Sequence, residues 1–231
     1  MKKKSRVLII SDLHSPYGHI DTVPFLKAVK KKYKPTQVIL TGDEVDFHQI
    51  SFHPGDPDLD SAGVELAKAI QALKPLYELF PRATVLHSNH GSLVYRKALY
   101  HGLPKAVVKE YRHMLSAPKG WEWVDDLIIK TPLGKVYFHH SRGPALKTSQ
   151  LYGMSHVCGH LHESFNISYW STPEKLLFAM TVGCLVDKSS LAMAYNKLNT
   201  KRPIIGVGVI IEGIPELVPM IIKNGRWIGK L

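Results

Sequence analysis

The stretch "ILTGDEVDF" places three acidic side chains, Asp43, Glu44 and Asp46, directly after a short apolar run. Carboxylates this close together repel one another unless protons or cations neutralise them. Two interpretations are open at this point: the segment is a solvated loop, or positive charge lies beside it. A bound divalent cation would supply that charge.

Four other apolar runs also end in side chains that can bind a metal ion or transfer a proton. These side chains are Asp12 and His14, Asn89 and His90, His139 and His140, and His160 and His162. In open α/β sheets, ligands bind beyond the carboxyl ends of the strands, so we expect these side chains to converge. Carboxylate, imidazole and amide donors without thiolate suit Mn, Fe, Co, Ni or Zn. There are more donors than one tetrahedral ion needs, and two adjacent ions sharing Asp43 would use them.

The elements that carry these residues alternate in the first half of the chain. We predict strands at residues 6–11, 37–42 and 83–88, and helices at 22–34, 61–80 (capped by Ser61 and kinked or interrupted at Pro75) and 93–115 (divided at Pro104). Strands that alternate with helices predict βαβ units and a mostly parallel sheet.

After residue 120 the pattern becomes β-rich and partly antiparallel. We predict two strands within 125–140, joined around Leu133 and Gly134, and others at 155–160, 165–170, 176–183, 204–213 and 216–227. Asn224-Gly225 is a strong hairpin signal within the last of these. We expect one domain, residues 1–231, with two packed sheets and a surface loop at 53–60.

Composition limits the class of protein and its partners. The chain has 231 residues, of which 45% are hydrophobic, and no apolar run approaches the ~20 residues of a membrane span. The apolar stretch after "MKKK" is too short for a signal peptide, and Cys158 and Cys184 form no disulfide framework, so we expect a cytoplasmic protein. The net charge of +11 favours nucleic acid or anionic substrates, although lysine clusters can also be ordinary solvated faces.

Taken in order, "DLH", "GDEVD", "NH", a histidine after a strand and "GHLH" resemble the motifs of the calcineurin-like metallophosphoesterases. The resemblance covers residues 8–162. It implies an α/β fold, a four-layer αββα sandwich of two mixed β-sheets flanked by helices, with a two-metal site along one edge. The implied ligands are Asp12, His14, Asp43 and His162 for one ion, and Asp43, Asn89, His140 and His160 for the other. His139 is the alternative to His140.

The resemblance also implies the reaction, hydrolysis of a phosphoester by a metal-bound hydroxide that attacks phosphorus. His90 resembles the catalytic histidine of the family, which donates a hydrogen bond or proton near the leaving oxygen. Two positions depart from the family pattern: Ser88 replaces a glycine, and Gly91 replaces the acid that supports this histidine. Two outcomes of the second departure are open: His90 is a poorer proton donor, or another carboxylate such as Asp46 takes the place of the acid. We expect Asp46 to support the site rather than bind metal, and Glu44 to be solvated.

The expected substrate is phosphorylated, with nucleotides or nucleic acid favoured by the positive charge. Manganese is the expected metal, with Fe, Zn, Ni or Co as alternatives. Arg142 and His48, together with His53, are candidates for substrate contacts, although each also fits an ordinary surface residue. Two other functions are considered: a nucleic-acid-binding protein with a structural or inactive metal site, and a protein phosphatase.

Overall fold

The computed structural model describes residues 4–52, 58–187 and 202–231, and its larger strands form two mixed sheets. The first sheet has the spatial order β11 (Ile214–Pro219), β10 (Gly206–Ile211), β1 (Arg6–Ile10), β2 (Gln37–Leu40), β3 (Ala83–Leu86) and β4 (Trp121–Val124). The second has the order β5 (Leu127–Thr131), β6 (Gly134–Phe138), β7 (Ser155–Cys158), β9 (Leu176–Val182) and β8 (Phe165–Ser171). A short hairpin joins β12 (Ile222–Lys223) to β13 (Arg226–Trp227).

The helices cover the outer faces of the two sheets. They are α1 (Thr22–Tyr33), α2 (Ala62–Leu79), α3 (Leu93–Tyr100), α4 (Tyr111–Met114) and α5 (Ala145–Tyr152). Apolar side chains of α1 and α2 share one core with the outer face of the first sheet. A second core lies between the sheets, and Ala145 of α5 packs against Cys158 and Ala179 on the far side of the second sheet. This order of layers confirms the predicted four-layer sandwich.

Strand direction places the carboxyl ends of several strands at one edge. β1, β2, β3 and β4 run parallel, and so do β6, β7 and β9 in the second sheet. The remaining strands pair antiparallel with their neighbours at the margins of these parallel blocks. His140, just beyond β6, reaches the backbone of Thr41, just beyond β2, so the loops after both sheets meet.

Most of the predicted strands are present, and the differences have local causes. The prediction lacked β4 and α5. The buried residues of α5 are Ala145, Thr148 and Ser149, two of which are polar, so its inner face has only a weak apolar signal in the sequence. The predicted helix at 93–115 ends at Tyr100 and continues as a 3₁₀ turn and α4. Residues 53–57 of the predicted loop at 53–60, including His53, lie outside the described residues.

Helix α2 runs through Pro75 from Ala62 to Leu79. Ser61 stands at its N-cap position, but its side chain makes no capping hydrogen bond, so the predicted cap is wrong in that respect. None of the described helices has both the length and the apolar character needed to cross a membrane.

The predicted turn at Asn224-Gly225 is confirmed. Both residues have positive φ, 52° and 73°, which a tight hairpin turn requires. Asp21 anchors this hairpin to the start of α1, since it accepts hydrogen bonds from Arg226 Nη2 at 2.6 Å and from the Trp227 backbone at 2.9 Å. The Arg226 guanidinium lowers the pKa of Asp21 to about 2.

Candidate metal centre

The loops that follow β1 and β2 lie side by side and carry the first predicted ligands. The backbone N–H of Asp12 donates to Gly42 at 3.1 Å, and that of His14 donates to Asp43 at 2.8 Å. These contacts extend the parallel pairing of the two strands beyond their ends. The paired loops therefore hold Asp12, His14 and Asp43 on neighbouring backbones.

Four of the predicted ligands have a strained backbone. Asp12, His14, Asp43 and His160 have φ values of 49°, 46°, 51° and 69°. Residues other than glycine are uncommon in this left-handed region, at a cost on the order of 1–3 kcal/mol each. Strain that the surrounding structure maintains in this way is typical of functional sites.

One group of donors consists of Asp12, His14 and His162, whose ligand atoms lie within 4.8 Å of one another. His162 Nε2 is 3.2 Å from Asp12 Oδ1 and 3.1 Å from His14 Nε2. Two imidazole nitrogens that face each other beside a carboxylate form a suitable donor set for a divalent cation. Burial raises the pKa of Asp12, but hydrogen bonds with His14 and His162 outweigh this effect and hold the pKa well below its usual value.

A second group consists of Asp43, His140 and His160. His140 Nδ1 donates to the Thr41 carbonyl at 2.7 Å, which leaves Nε2 to face Asp43 Oδ2 at 3.3 Å and Asn89 Oδ1 at 2.7 Å. Fixing one ring nitrogen on a backbone carbonyl is the usual way in which proteins orient a histidine ligand. Burial lowers the pKa of His140, yet the nearby Asp43 carboxylate raises it to about 9.

Asp43 belongs to the second group and also faces the first. Its Oδ2 atom is 3.3 Å from His140 Nε2 and 3.7 Å from His14 Nε2. Although burial raises the pKa of Asp43, the surrounding histidines lower it below its usual range, so the side chain is a carboxylate at neutral pH. The donor types and their clustering around a shared carboxylate fit divalent cations.

His139 and His140 lie on opposite faces of the second sheet. Val136 and Phe138 belong to the core between the sheets, and the alternation of strand side chains continues to His140. His139 instead stacks on Tyr137, with ring centroids 6.4 Å apart. Tyr137 in turn contacts Tyr152 of α5 on the outer face. Of the pair, only His140 lies in one of the described donor groups.

His90 is held by two contacts to the loop after β2. Its backbone N–H donates to Asp43 Oδ1 at 3.2 Å, and its Nδ1 donates to the backbone carbonyl of Asp46. Asp46 Oδ1 also lies 3.6 Å from His90 Nδ1. His90 forms a third donor group with His14 and Asp43, so its position is compatible with binding metal as well as with donating a proton.

Ser88 and Gly91, the two positions that depart from the family pattern, are in contact with each other. Ser88 Oγ accepts hydrogen bonds from the backbone N–H groups of Asp43, at 3.0 Å, and Gly91, at 3.1 Å. A Cβ atom at Gly91 would lie 3.0 Å from Tyr111 Oη and 3.1 Å from Ser88 Oγ. The hydroxyl groups of Ser88 and Tyr111 therefore occupy the space that a side chain at position 91 would need.

The prediction that Glu44 is solvated is wrong. Its exposed fraction is 1%, and it accepts a hydrogen bond from Trp123 Nε1 at 3.0 Å. Burial raises the pKa of this carboxyl group, and the nearby Trp123 and Tyr111 only partly offset this effect. The sequence could not reveal this environment, because Tyr111 and Trp123 come from distant parts of the chain.

The two candidates for substrate contacts have different surroundings. His48 Nδ1 lies 3.8 Å from Asp46 Oδ2, and its backbone N–H donates to Glu65 at 2.8 Å. Arg142 pairs with Asp126 at 3.8 Å and contacts Tyr152 of α5, so it belongs to the outer face of the second sheet. Glu65 is buried and was missed, because no local pattern marks a contact with a turn 17 residues away.

A sequence model of the calcineurin-like phosphoesterases matches residues 5–172, and the chain belongs to this family of metal-dependent phosphoester hydrolases. Family membership confirms the resemblance and the class of enzyme. No curated protein sequence gives a significant match.

Several solved structures align with most of the chain. Vacuolar protein sorting 29 from Cryptosporidium parvum is 13% identical, with a TM-score of 0.52, over 96% of this chain and 94% of that one. An archaeal phosphodiesterase is 11% identical, with a TM-score of 0.49, over 93% and 99% of the two chains. The E. coli phosphoesterase Yfce is 12% identical, with a TM-score of 0.48, over 89% and 87%. At such identities the likeness concerns the fold alone.

Proposed function

We propose that this chain is a dinuclear phosphodiesterase that acts on nucleotides or nucleic acid with manganese as its metal. The observation that carries the proposal is the position of Asp43, whose Oδ2 atom faces His14 Nε2 at 3.7 Å and His140 Nε2 at 3.3 Å. One carboxylate that faces two donor groups suits two adjacent cations. The net charge of +11 supports a polyanionic substrate.

In this proposal each cation has its own ligands besides Asp43. Asp12, His14 and His162 would hold one cation, and Asn89, His140 and His160 would hold the other. When bound, two divalent cations would supply an activated water and neutralise charge on the phosphoryl oxygens. The protein's contribution is to fix the donors, as Asp46 does for His14 and Thr41 does for His140.

His90 is the proposed proton donor to the leaving oxygen. Its Nδ1 is committed to the Asp46 carbonyl, so Nε2 is the nitrogen that is free to meet a substrate. In this proposal the reacting form of the ring carries a proton on both nitrogens, and Asp46 Oδ1 lies 3.6 Å from Nδ1. Nε2 can then give its proton to the departing oxygen as a general acid.

We also propose that residues 1–231 form a single domain of this family. β10 and β11 lie beyond the matched residues, yet β10 pairs with β1 and β11 pairs with β10, so both belong to the first sheet. Their removal would expose the core between the sheets, to which Ile210 contributes.

The test combines metal stoichiometry with hydrolysis of two chromogenic esters. The Mn²⁺-loaded protein should bind two ions per chain, measured by elemental analysis after desalting. It should also hydrolyse bis-p-nitrophenyl phosphate in preference to p-nitrophenyl phosphate. A preference for the monoester would point to a phosphatase, and no turnover with metal bound would contradict the enzymatic proposal.

Asp43→Asn tests the shared carboxylate directly. The variant should lose diester turnover and bind at most one ion, since an amide is a poor bridge between cations. Asp60→Asn is the matched control, because Asp60 pairs with Lys68 near the surface and should leave both properties unchanged. Two ions and full activity in Asp43→Asn would exclude the bridged pair.

A further inference from the structure

An exposed apolar and basic surface lies next to the candidate metal centre. At the end of α3, the side chains of Leu99 and Tyr100 are 62% and 74% exposed, and Leu103 follows with 50%. Large hydrophobic side chains that are exposed together mark interaction sites more often than single ones do. Residues 93–109 contain Arg96, Lys97, Lys105 and Lys109 as their Lys and Arg residues, and they contain no Asp or Glu.

Cations and aromatic rings are interleaved on this surface. Lys97 Nζ lies 4.3 Å from the ring centroid of Phe52, and the Arg96 guanidinium lies 5.1 Å from it. Tyr100 meets the same ring edge-on at 5.7 Å. We call Phe52, Arg96, Lys97 and Tyr100 the aromatic–basic platform. Since Tyr100 is largely exposed, its ring is accessible to a partner.

Two short chain segments connect the platform to the candidate centre. Helix α3 starts three residues after His90, and its rise of 1.5 Å per residue puts Tyr100 roughly 10 Å beyond Leu93. Phe52 follows the 3₁₀ turn His48–Ile50, which begins two residues after Asp46. A polymeric substrate with one phosphate at the centre would have neighbouring nucleotides within reach of this surface.

We propose that the aromatic–basic platform binds single-stranded nucleic acid beside the scissile phosphate, with Tyr100 stacked on a base and Arg96 and Lys97 near the strand's phosphates. This inference rests on the proposed function and narrows its substrate class. Stacking on aromatic side chains within a basic groove is how proteins bind single strands irrespective of sequence. Residues 93–109 contain no acidic side chain. This favours a polyanionic partner over a protein whose surface carries charges of both signs.

Binding is measured without hydrolysis, by fluorescence anisotropy of a labelled oligothymidylate in EDTA. The unaltered protein should bind the single strand more tightly than a duplex of equal length. Tyr100→Ala should weaken single-strand binding by about 5- to 150-fold, the range expected for loss of one stacked base. Tyr100→Trp should retain binding, because it keeps an aromatic face.

Two further variants separate stacking from charge. Lys97→Gln should reduce the slope of log affinity against log salt concentration by about one, as expected for loss of one phosphate contact. Tyr169→Ala is the matched control: Tyr169 is 54% exposed on β8, in the other sheet, and its removal should leave binding unchanged.

Several results would overturn the inference. These are absence of single-strand binding by the unaltered protein at low salt, equal affinity for single strand and duplex, and undiminished binding in Tyr100→Ala. The proposed function is tested separately, by hydrolysis of bis-p-nitrophenyl phosphate by the unaltered protein. If the protein hydrolyses the small diester but does not bind the oligonucleotide, the proposed role of the platform is rejected and the proposed phosphodiesterase activity is retained.

Discussion

His14 Nδ1 lies 2.6 Å from Asp46 Oδ1, and both side chains are buried. This contact leaves His14 Nε2 facing His162 and Asp12. Burial lowers the pKa of His14, but its carboxylate neighbours more than reverse this and raise it well above its ordinary value. Asp46 therefore orients a proposed ligand without belonging to any of the described donor groups itself.

Removing this support should weaken metal binding. We expect Asp46→Ala to lower Mn²⁺ affinity roughly 10–100-fold, the usual cost of losing the partner of a ligating histidine. Competition with a fluorescent chelator measures the affinity, and Asp60→Ala is the control at a surface carboxylate. An unchanged affinity in Asp46→Ala would show that His14 does not depend on this contact.

Replacing His90 should separate proton donation from metal binding. His90→Ala should keep two Mn²⁺ ions per chain and lower kcat for the diester on the order of 10²–10⁴-fold, as expected for loss of a general acid. Metal content and turnover are measured on the same preparation. Loss of an ion would instead identify His90 as a ligand, consistent with its donor group with His14 and Asp43.

The close packing around Gly91 predicts that adding a side chain at this position destabilises the protein. Gly91→Ala should reduce the free energy of unfolding by about 1–3 kcal/mol, because the new Cβ would crowd Tyr111 Oη and Ser88 Oγ. Urea denaturation measures the change. Gly63→Ala is the matched control in α2, where a Cβ meets nothing within 4 Å, and it should stabilise slightly.

A companion variant identifies the crowding group at Gly91. Tyr111→Phe removes the hydroxyl, so Gly91→Ala should cost less in that background than in the unaltered protein. Equal costs in the two backgrounds would mean that Tyr111 does not limit the space at position 91.

The burial of His156 leads us to expect that the protein loses stability in mild acid. Its side chain is fully buried on β7, and burial lowers its pKa to about 4. Below its ordinary pKa of ~6.5 the unfolded chain takes up a proton that the folded chain does not. The contribution of His156 to stability is therefore lost as the pH falls from about 6.5 to about 4, by up to about 3 kcal/mol.

The measurement compares urea unfolding at pH 7.5 and pH 5, for the unaltered protein and for His156→Leu. The variant should show a smaller drop in the free energy of unfolding between these two pH values. His113→Gln serves as the control at an exposed histidine and should leave the drop unchanged. An equal drop in His156→Leu would show that other groups cause the acid sensitivity.

The class of fold was predictable because it depends on local patterns. Short apolar runs mark β1, β2 and β3, and the spacing of apolar residues marks α1 and α2, whatever surrounds them. Elements without such a signal were missed. Helix α5 buries the polar residues Thr148 and Ser149, and β4 buries only Trp121, so neither element has an apolar run that marks it in the sequence.

For the candidate site, the sequence alone determined which residues stand at the ends of strands and in what order. That order identified the family, and six of those residues, namely Asp12, His14, Asp43, His140, His160 and His162, make up two of the described donor groups. This was possible because a side chain directly after a parallel strand must lie at the sheet's carboxyl edge.

Only the tertiary structure decided the surroundings of these residues. Three contacts join segments that are far apart in the chain. Glu44 is buried against Trp123, Asp46 contacts His14, and Tyr111 fills the space beside Gly91. Burial and hydrogen bonding are properties of the neighbours that a side chain meets in the fold. Local sequence does not contain those neighbours, so it could not predict them.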